Sequence, residues 1–278
     1  MNVLYCGDKN MEQGFIMSAA SLGMHTKDVL HIFVITMQWK EEGRDYDMIS
    51  EACIKKVEVF LKSKNKDSTV VKIVLPEQYK QMINGANEQT RFTPYCMLRL
   101  FADKLTEIPD KILYLDTDVI CRKNPKELYD TDVSTCDIAG VLDYYGSWLF
   151  RKKWYRRDYI NSGVMLINMK KIREDNVFET CRELCRDKKM FMPDQSAVNL
   201  VAEKKLLPRK YNEQRKLKKD TYFHHFTTSF RIFPWIHTVT VKPWENDKVH
   251  QVLGIYEYDD LYEIMCMLQK AQILFEKA

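Results

Sequence analysis

Apolar and polar positions in the first half of the chain fall into blocks that switch between two periods. Residues 3–6 are a continuous apolar run closed by a polar cluster at 8–10, the form of a buried strand entering a turn. Residues 11–24 then place Phe15, Ala19 and Leu22 at helical spacing. Residues 30–36 and 70–75 are two more strand-like runs, and between them 45–61 carries Ile49, Cys53, Val57 and Phe60 along one helix face. A helix over 94–105 has Tyr95, Leu98, Phe101 and Leu105 on one side, and Lys111–Leu115 reads as a fourth strand. Strands alternating with helices of this length need crossover connections, which predicts an α/β fold with a mostly parallel sheet. Ligands of such sheets bind beyond the carboxyl ends of the strands. Asp8 and Asp116 both lie at such ends and are expected to face one crevice.

The second half is less regular. Residues 137–142 and 159–168 read as strands, and 178–186 and 194–203 as helices. Asp194 follows Pro193 at a helix head, where an aspartate is a favoured N-cap. From 208 to 241 only 222–226 and 237–241 look strand-like, and 256–277 forms a final helix with Leu261, Ile264, Leu268 and Leu274. No internal repeat or low-complexity linker interrupts the chain. The expected organisation is one domain over 1–245 and a helical extension, 246–278, packed on or beside it. The apolar residues of that tail, among them Tyr256, Tyr258, Tyr262, Met265 and Met267, read as core packing before they read as a dimer or membrane surface.

Composition adds boundaries. The 278 residues are 45% apolar and 29% charged, ordinary for a globular protein with a sizeable core. A net charge of +4 is too small to argue for nucleic acid, and none is expected as a partner. The apolar N-terminal run has no basic region and breaks at Gly7-Asp8, as a first strand does and a signal peptide does not. No apolar stretch approaches the roughly 18 residues of a membrane span. The eight cysteines are scattered and form no CxxC pair, the usage of reduced thiols in a cytoplasmic core. Between 148 and 157 aromatic residues interleave with five basic ones, and Arg215 to Lys219 adds a second basic patch. That composition suits a solvated loop, an acceptor-binding lid, or peripheral contact with anionic lipid at the inner face of a membrane.

The sharpest chemical signal is Asp116-Thr117-Asp118, at the end of the apolar strand Lys111–Leu115. Alternate side chains of an extended chain point the same way, so the two carboxylates sit side by side. Burying adjacent negative charges is costly unless something positive joins them. A divalent cation is the simplest neutraliser, and hard oxygen ligands suit manganese or magnesium. Such an ion commonly carries a substrate diphosphate. Two other readings share the local pattern: a turn held by Asx hydrogen bonds, and the nucleophile strand of a haloacid-dehalogenase phosphatase, in which the first Asp attacks phosphate.

Four motifs follow in order over roughly residues 1–245: Asp116-Thr117-Asp118, then Asn161-Ser162-Gly163-Val164-Met165-Leu166-Ile167-Asn168, then Asp194-Gln195, then Lys242-Pro243-Trp244. Together they resemble family 8 of the retaining glycosyltransferases, the group of bacterial lipopolysaccharide galactosyltransferases and glycogenin. The resemblance implies a GT-A fold with a Rossmann-like sheet, manganese dependence with magnesium as the alternative, and transfer of glucose or galactose from a UDP-sugar to a glycan, glycolipid or glycoprotein. By resemblance, Asp8 and Asn10 contact the nucleoside, and Asp116 and Asp118 hold the metal and diphosphate. Lys242 meets the leaving phosphate, and Asp143, Asn161, Asp194 and Gln195 surround the sugar, with Thr117 and Ser162 also on the donor side. Asp194, Gln195 and Lys242 are the implied catalytic group. The family closes its metal site with a histidine shortly before Lys-Pro-Trp. Here His237, favoured by proximity to Lys242, and His225, which has the His-Phe pairing, are both open to that role. Many relatives carry a phosphate- or sugar-contacting arginine in Tyr-x-Arg where this chain has Tyr95-Cys96-Met97; Arg99, two residues later on a different helix face, is the candidate for that donor contact. A non-catalytic partner subunit is the second reading these departures leave.

Overall fold

The computed structural model describes residues 1–41, 44–83, 85–87, 95–149, 158–231 and 237–275. In chain order its strands are β1 (Asn2–Cys6), β2 (His31–Thr36), β3 (Trp39–Glu41), β4 (Arg44–Tyr46), β5 (Thr69–Val74), β6 (Lys111–Leu115), β7 (Val119–Cys121) and β8 (Ile138–Leu142). They continue with β9 (Ile160–Asn168), β10 (Lys204–Leu206), β11 (Phe223–His225), β12 (Ser229–Arg231) and β13 (His237–Val239). Seven of them form the central sheet, in the order β10-β8-β9-β6-β1-β2-β5. All neighbours in it run parallel except β9, which is antiparallel to both β6 and β8.

The inner strands β1, β6 and β9 are covered on both faces, which is why they read as nearly unbroken apolar runs, while the edge strands β5 and β10 are partly exposed. Val3 and Tyr5 of β1 and Leu113 and Leu115 of β6 pack with Phe15, Ala19 and Leu22 of the helix Glu12–His25. The alternate residues, Leu4, Cys6, Ile112 and Tyr114, face Leu98, Phe101, Phe178 and Cys181 on the other side. The helix Glu12–His25 is also tied to the strand after the acidic pair, because Ser18 Oγ donates to the Val119 carbonyl at 2.6 Å.

Four expectations need correction. The helix expected over 45–61 spans Glu51–Lys64. Ser50 caps it by accepting from the Cys53 amide at 3.1 Å, and Arg44–Tyr46 instead pairs with Trp39–Glu41 as a hairpin. The helical segment after 94 is a 3-10 helix, Tyr95–Lys104. Asp194 is no N-cap: Met192 holds that position in a left-handed conformation with φ 52°, and Asp194 lies in the first turn with its carboxylate turned to Arg99. The helix ends at Val201, and β10 adds a short sheet edge that the sequence pattern did not reveal. In the tail, Tyr258, Leu261 and Met265 are buried against the body, while Tyr256 and Met267 are exposed. None of the helices among the described residues is long and apolar enough to cross a membrane.

Candidate functional site

At the end of β6 the chain makes a tight turn, with the Val119 amide donating to the Asp116 carbonyl at 3.2 Å. The Asp116 amide is held by the Gly163 carbonyl at 2.9 Å, so β9 fixes the turn from the opposite side. Asp116 Oδ1 accepts from Tyr114 Oη at 2.7 Å and from Arg99 Nη2 at 3.0 Å. Its Oδ2 faces His225 Nε2 at 3.8 Å. Asp118 Oδ1 lies 3.2 Å from the same nitrogen, and Asp118 Oδ2 accepts from Lys242 Nζ at 2.6 Å. Asp116, Asp118 and His225 thus offer three ligand atoms within 4.8 Å of one another.

His225 reaches this place through strand pairing. Strand β11 runs antiparallel to β7, with His225 opposite Val119, the residue directly after the acidic pair. Its Nδ1 is 3.1 Å from Asn161 Oδ1. That oxygen also accepts from the Gly163 amide at 3.0 Å and from Asn212 Nδ2 at 2.9 Å. An acceptor at Nδ1 calls for a proton on that nitrogen and leaves Nε2, which faces the carboxylates, as the nitrogen an ion would take once its own proton is displaced. Gly163 makes room, since a Cβ there would lie 2.1 Å from His225 Cε1. The side chain of His237 lies outside the described residues; its backbone, at the start of β13, pairs with Arg231 of β12. Burial opposes charge on His225, but Asp118 and Asp116 outweigh it and raise its pKa. Burial likewise opposes ionisation of Asp118, yet His225 and Lys242 together hold its pKa below the usual carboxylate range.

Arg99 is 5% exposed and lies beneath the pair. Besides Asp116 it donates to the Ser162 carbonyl at 2.8 Å and the Cys96 carbonyl at 3.0 Å, and its Nε lies 3.3 Å from Asp194 Oδ2. Its guanidinium stacks 4.2 Å from the Tyr114 ring centroid. Met97 is in the core, and the face bearing Arg99 is the one turned to the acidic pair. Burial raises the pKa of Asp194, with Arg99 opposing it.

A second group of polar side chains adjoins the first. Asp143 Oδ2 accepts from Asn161 Nδ2 at 2.9 Å and Gln195 Nε2 at 3.2 Å. Gln195 Oε1 accepts from the Ser162 amide at 3.0 Å and from Ser162 Oγ at 3.1 Å. Asn212 and Gln214 complete this network; Gln214 bonds the Tyr144 amide and the Leu142 carbonyl on either side of Asp143. Neither was singled out from the sequence. Their only sign there is a polar run, Asn212-Glu213-Gln214, inside an irregular stretch.

Asp8 lies at the end of β1, the neighbour of β6 in the sheet. It is 3% exposed, accepts from Asn10 Nδ2 at 3.0 Å through Oδ2, and has no partner for its buried Oδ1 among the described residues. Burial raises its pKa. Thr117 turns its hydroxyl to Met11 Sδ at 3.5 Å. The Lys242-Pro243-Trp244 segment packs on the helix Glu12–His25 at Gly14, where a Cβ would lie 2.6 Å from the Trp244 ring and 2.8 Å from the Thr117 carbonyl. Residues 150–157 of the basic aromatic tract lie outside the described residues. Arg215, of the second basic patch, stacks 4.3 Å from the Tyr144 ring centroid, in the helix that leads into that tract.

The sequence matches the family description "Glycosyl transferase family 8" over residues 2–248. It is 26% identical over 263 residues to a lipopolysaccharide 1,2-glucosyltransferase of Escherichia coli, covering 88% of this chain and 73% of that protein. The structure resembles an active-site mutant of LgtC with a TM-score of 0.67 at 18% identity, covering 98% of this chain and 96% of the other. It also resembles the galactosyltransferase LgtC in complex with donor and acceptor sugar analogs, with a TM-score of 0.64 at 19% identity and 96% of each chain covered. At these identities the structural likeness is one of fold, the GT-A arrangement of a mostly parallel sheet with flanking helices.

Proposed function

This chain belongs to glycosyl transferase family 8, and from that premise we propose that it is a metal-dependent, retaining hexosyltransferase that moves glucose or galactose from a UDP-sugar to a glycan, glycolipid or glycoprotein. The transferase unit is residues 1–245, with 246–278 as a helical extension against it. The observation that carries the reading is the convergence of Asp116 Oδ2, Asp118 Oδ1 and His225 Nε2 beside the Lys242 ammonium. Two carboxylates and an imidazole form a hard, mixed oxygen–nitrogen donor set that suits manganese or magnesium. The Nδ1 contact to Asn161 supports it, since a histidine oriented through its second nitrogen is the common form of a ligand. When bound, the divalent ion supplies electrostatic stabilisation of the diphosphate as the sugar–phosphate bond breaks.

The side chains of this protein account for the rest. Asp8, with one buried oxygen unpaired among the described residues, and Asn10 are suited to donors of the nucleoside. Lys242 meets negative charge on the leaving phosphate. Arg99, locked between Asp116 and Asp194, holds the acidic turn and the sugar side in register. Thr117 and Ser162 shape the donor side. Asp143 and Asn161 orient sugar hydroxyls. Gln195 stands with its carbonyl oxygen already accepting two hydrogen bonds from Ser162. An amide so engaged is a poor nucleophile, which favours attack by the acceptor from the face the UDP leaves.

The dehalogenase-type phosphatase gains no support beyond the strand that suggested it. The non-catalytic partner reading rested on a displaced histidine and an absent arginine, and both His225 and Arg99 stand at the acidic pair. Thermal unfolding with UDP, with manganese, with both, and with EDTA tests the proposal. At about a hundred times the dissociation constant the pair should add roughly 2.7 kcal/mol, an upward shift that needs both components. An unchanged transition with both present refutes the assigned donor site.

A further inference from the structure

We propose that Lys242 makes binding of the divalent ion conditional on the nucleotide diphosphate, so that each enters the site strongly only with the other. The inference rests on the reading of Asp116, Asp118 and His225 as the ion's ligands and adds a regulation of that site.

Each of the two carboxylates is already joined to a cation. Asp116 Oδ1 is paired with Arg99 Nη2 at 3.0 Å, and Asp118 Oδ2 with Lys242 Nζ at 2.6 Å. The acidic pair is therefore neutralised within the chain itself. A divalent ion arriving alone would add two positive charges beside an ammonium and a guanidinium. Asp194, which shares Arg99, offsets one of them. The surplus is repulsive at short range, most of all beside Arg99 and Asp118, which are largely shielded from water. The diphosphate of a nucleotide-sugar brings two negative charges and removes that surplus.

The two cations differ in freedom. Arg99 is buried and fixed by two carbonyls and two carboxylates. The Lys242 side chain is 36% exposed, and among the described residues its ammonium has one hydrogen-bond partner, Asp118. Its backbone is anchored: the amide donates to Glu245 Oε2 at 2.8 Å, and the next carbonyl, of Pro243, accepts from Tyr262 Oη at 2.7 Å. Only the side chain has to turn for Nζ to move from Asp118 Oδ2 to a phosphate oxygen. One lysine then weakens ion binding when the diphosphate is absent and strengthens diphosphate binding when the ion is present. Because binding free energies are linked, the ion must tighten the nucleotide by the same factor that the nucleotide tightens the ion.

The test is a manganese titration, with free Mn2+ read by electron paramagnetic resonance, with and without UDP, on wild type, Lys242→Met, Lys242→Arg and Asp116→Asn. Wild type should bind Mn2+ about tenfold or more tightly with UDP, within the usual range of coupling between sites. Lys242→Met, which keeps the unbranched chain up to the Cε position and removes the ammonium, should bind Mn2+ alone more tightly than wild type and gain much less from UDP. Lys242→Arg should keep the wild-type coupling. A methionine variant no tighter for Mn2+ alone, or one with full coupling, overturns the inference. Coupling lost equally in the arginine variant would assign the effect to shape and overturn it as well. If wild type takes up no Mn2+ even with UDP, or if Asp116→Asn takes it up equally, the ligand assignment fails and the inference falls with it. Uptake that depends on Asp116 but not on Lys242 defeats the inference alone.

Discussion

The two halves of the site are built from opposite materials. At the end of β6, charges meet charges: Asp116, Asp118 and Asp194 against Arg99, Lys242 and the ring of His225. One shell further along β9, Asp143 is the sole ionisable member of a network otherwise made of Asn161, Ser162, Gln195 and Asn212. The charged half stores an electrostatic field that a metal and a diphosphate can use. The amide half holds fixed donors and acceptors, which can read the hydroxyl pattern of a sugar while adding little field of their own. Asn161 joins them, with Oδ1 toward His225 and Nδ2 toward Asp143. Asn212 Oδ1, 3.3 Å from His225 Nδ1, and the Ser162 carbonyl, which accepts from Arg99, join the halves as well, so strength and selectivity are built separately and meet along β9 and Asn212.

The largest effect should follow from removing charge at the first half. Asp118→Asn keeps the shape but takes the partner from both Lys242 and His225. Turnover should drop by about a thousandfold or more, near 4 kcal/mol of barrier, with the fold retained by circular dichroism. Transfer at the wild-type rate would remove Asp118 from the metal site.

A steric change at the join should come next. In Gly163→Ala the new Cβ falls on the His225 ring, and the imidazole must leave the carboxylates. Loss of a group that merely orients a ligand typically costs about 10- to 100-fold in metal affinity, and displacing the imidazole should cost at least as much. The manganese-dependent part of the thermal shift should shrink, read beside the metal-free transition, which reports any loss of packing separately. A full metal shift in this variant would mean that His225 is not a ligand.

The acidic turn was the most legible part of this chain, because strand, turn and charge lie within nine residues of sequence, 111–119. The alternating crossovers were legible for the same reason, since period and burial are local properties. What was left open or missed depends on partners distant in sequence. Proximity to Lys242 along the chain favoured His237, whereas the pairing of β11 with β7 is what brings His225 beside Asp118. Arg99 looked misplaced beside a Tyr-x-Arg pattern, and no local signal says that its face of the helix looks at both Asp116 and Asp194. Asn212 is fully buried in a stretch without periodicity and gains meaning only from Asn161, fifty-one residues away.

Gln195→Ala sharpens the comparison from the other side. It removes contacts to Ser162 and Asp143 and leaves the charged half intact. Turnover should fall by roughly thirtyfold, about 2 kcal/mol. The shift in unfolding temperature with UDP and manganese should stay as in wild type, because UDP lacks the sugar. A variant that loses both would show that the halves act as one unit.

The smallest expected effect sets the two adjacent histidines of β11 against each other. Neighbouring strand residues point to opposite faces. His225 turns to the carboxylates, and His224 turns inward, with Nδ1 2.7 Å from Tyr258 Oη and its ring 4.4 Å from that of Phe226. Burial, with Arg122 adding repulsion, pushes the His224 pKa from 6.5 down to about 3. The unfolded chain therefore holds a proton there that the folded protein refuses, in the window between those two values. Stability must fall as pH falls through it, by up to about 1.4 kcal/mol per pH unit from this one group. His224→Gln keeps a polar partner for Tyr258 and cannot titrate. Urea unfolding followed from neutral pH to about pH 5 should show a shallower loss of stability in the variant than in wild type. Parallel slopes would mean that His224 takes its proton in the folded state, and that the inner face of β11 is as hospitable to charge as the face that meets Asp118.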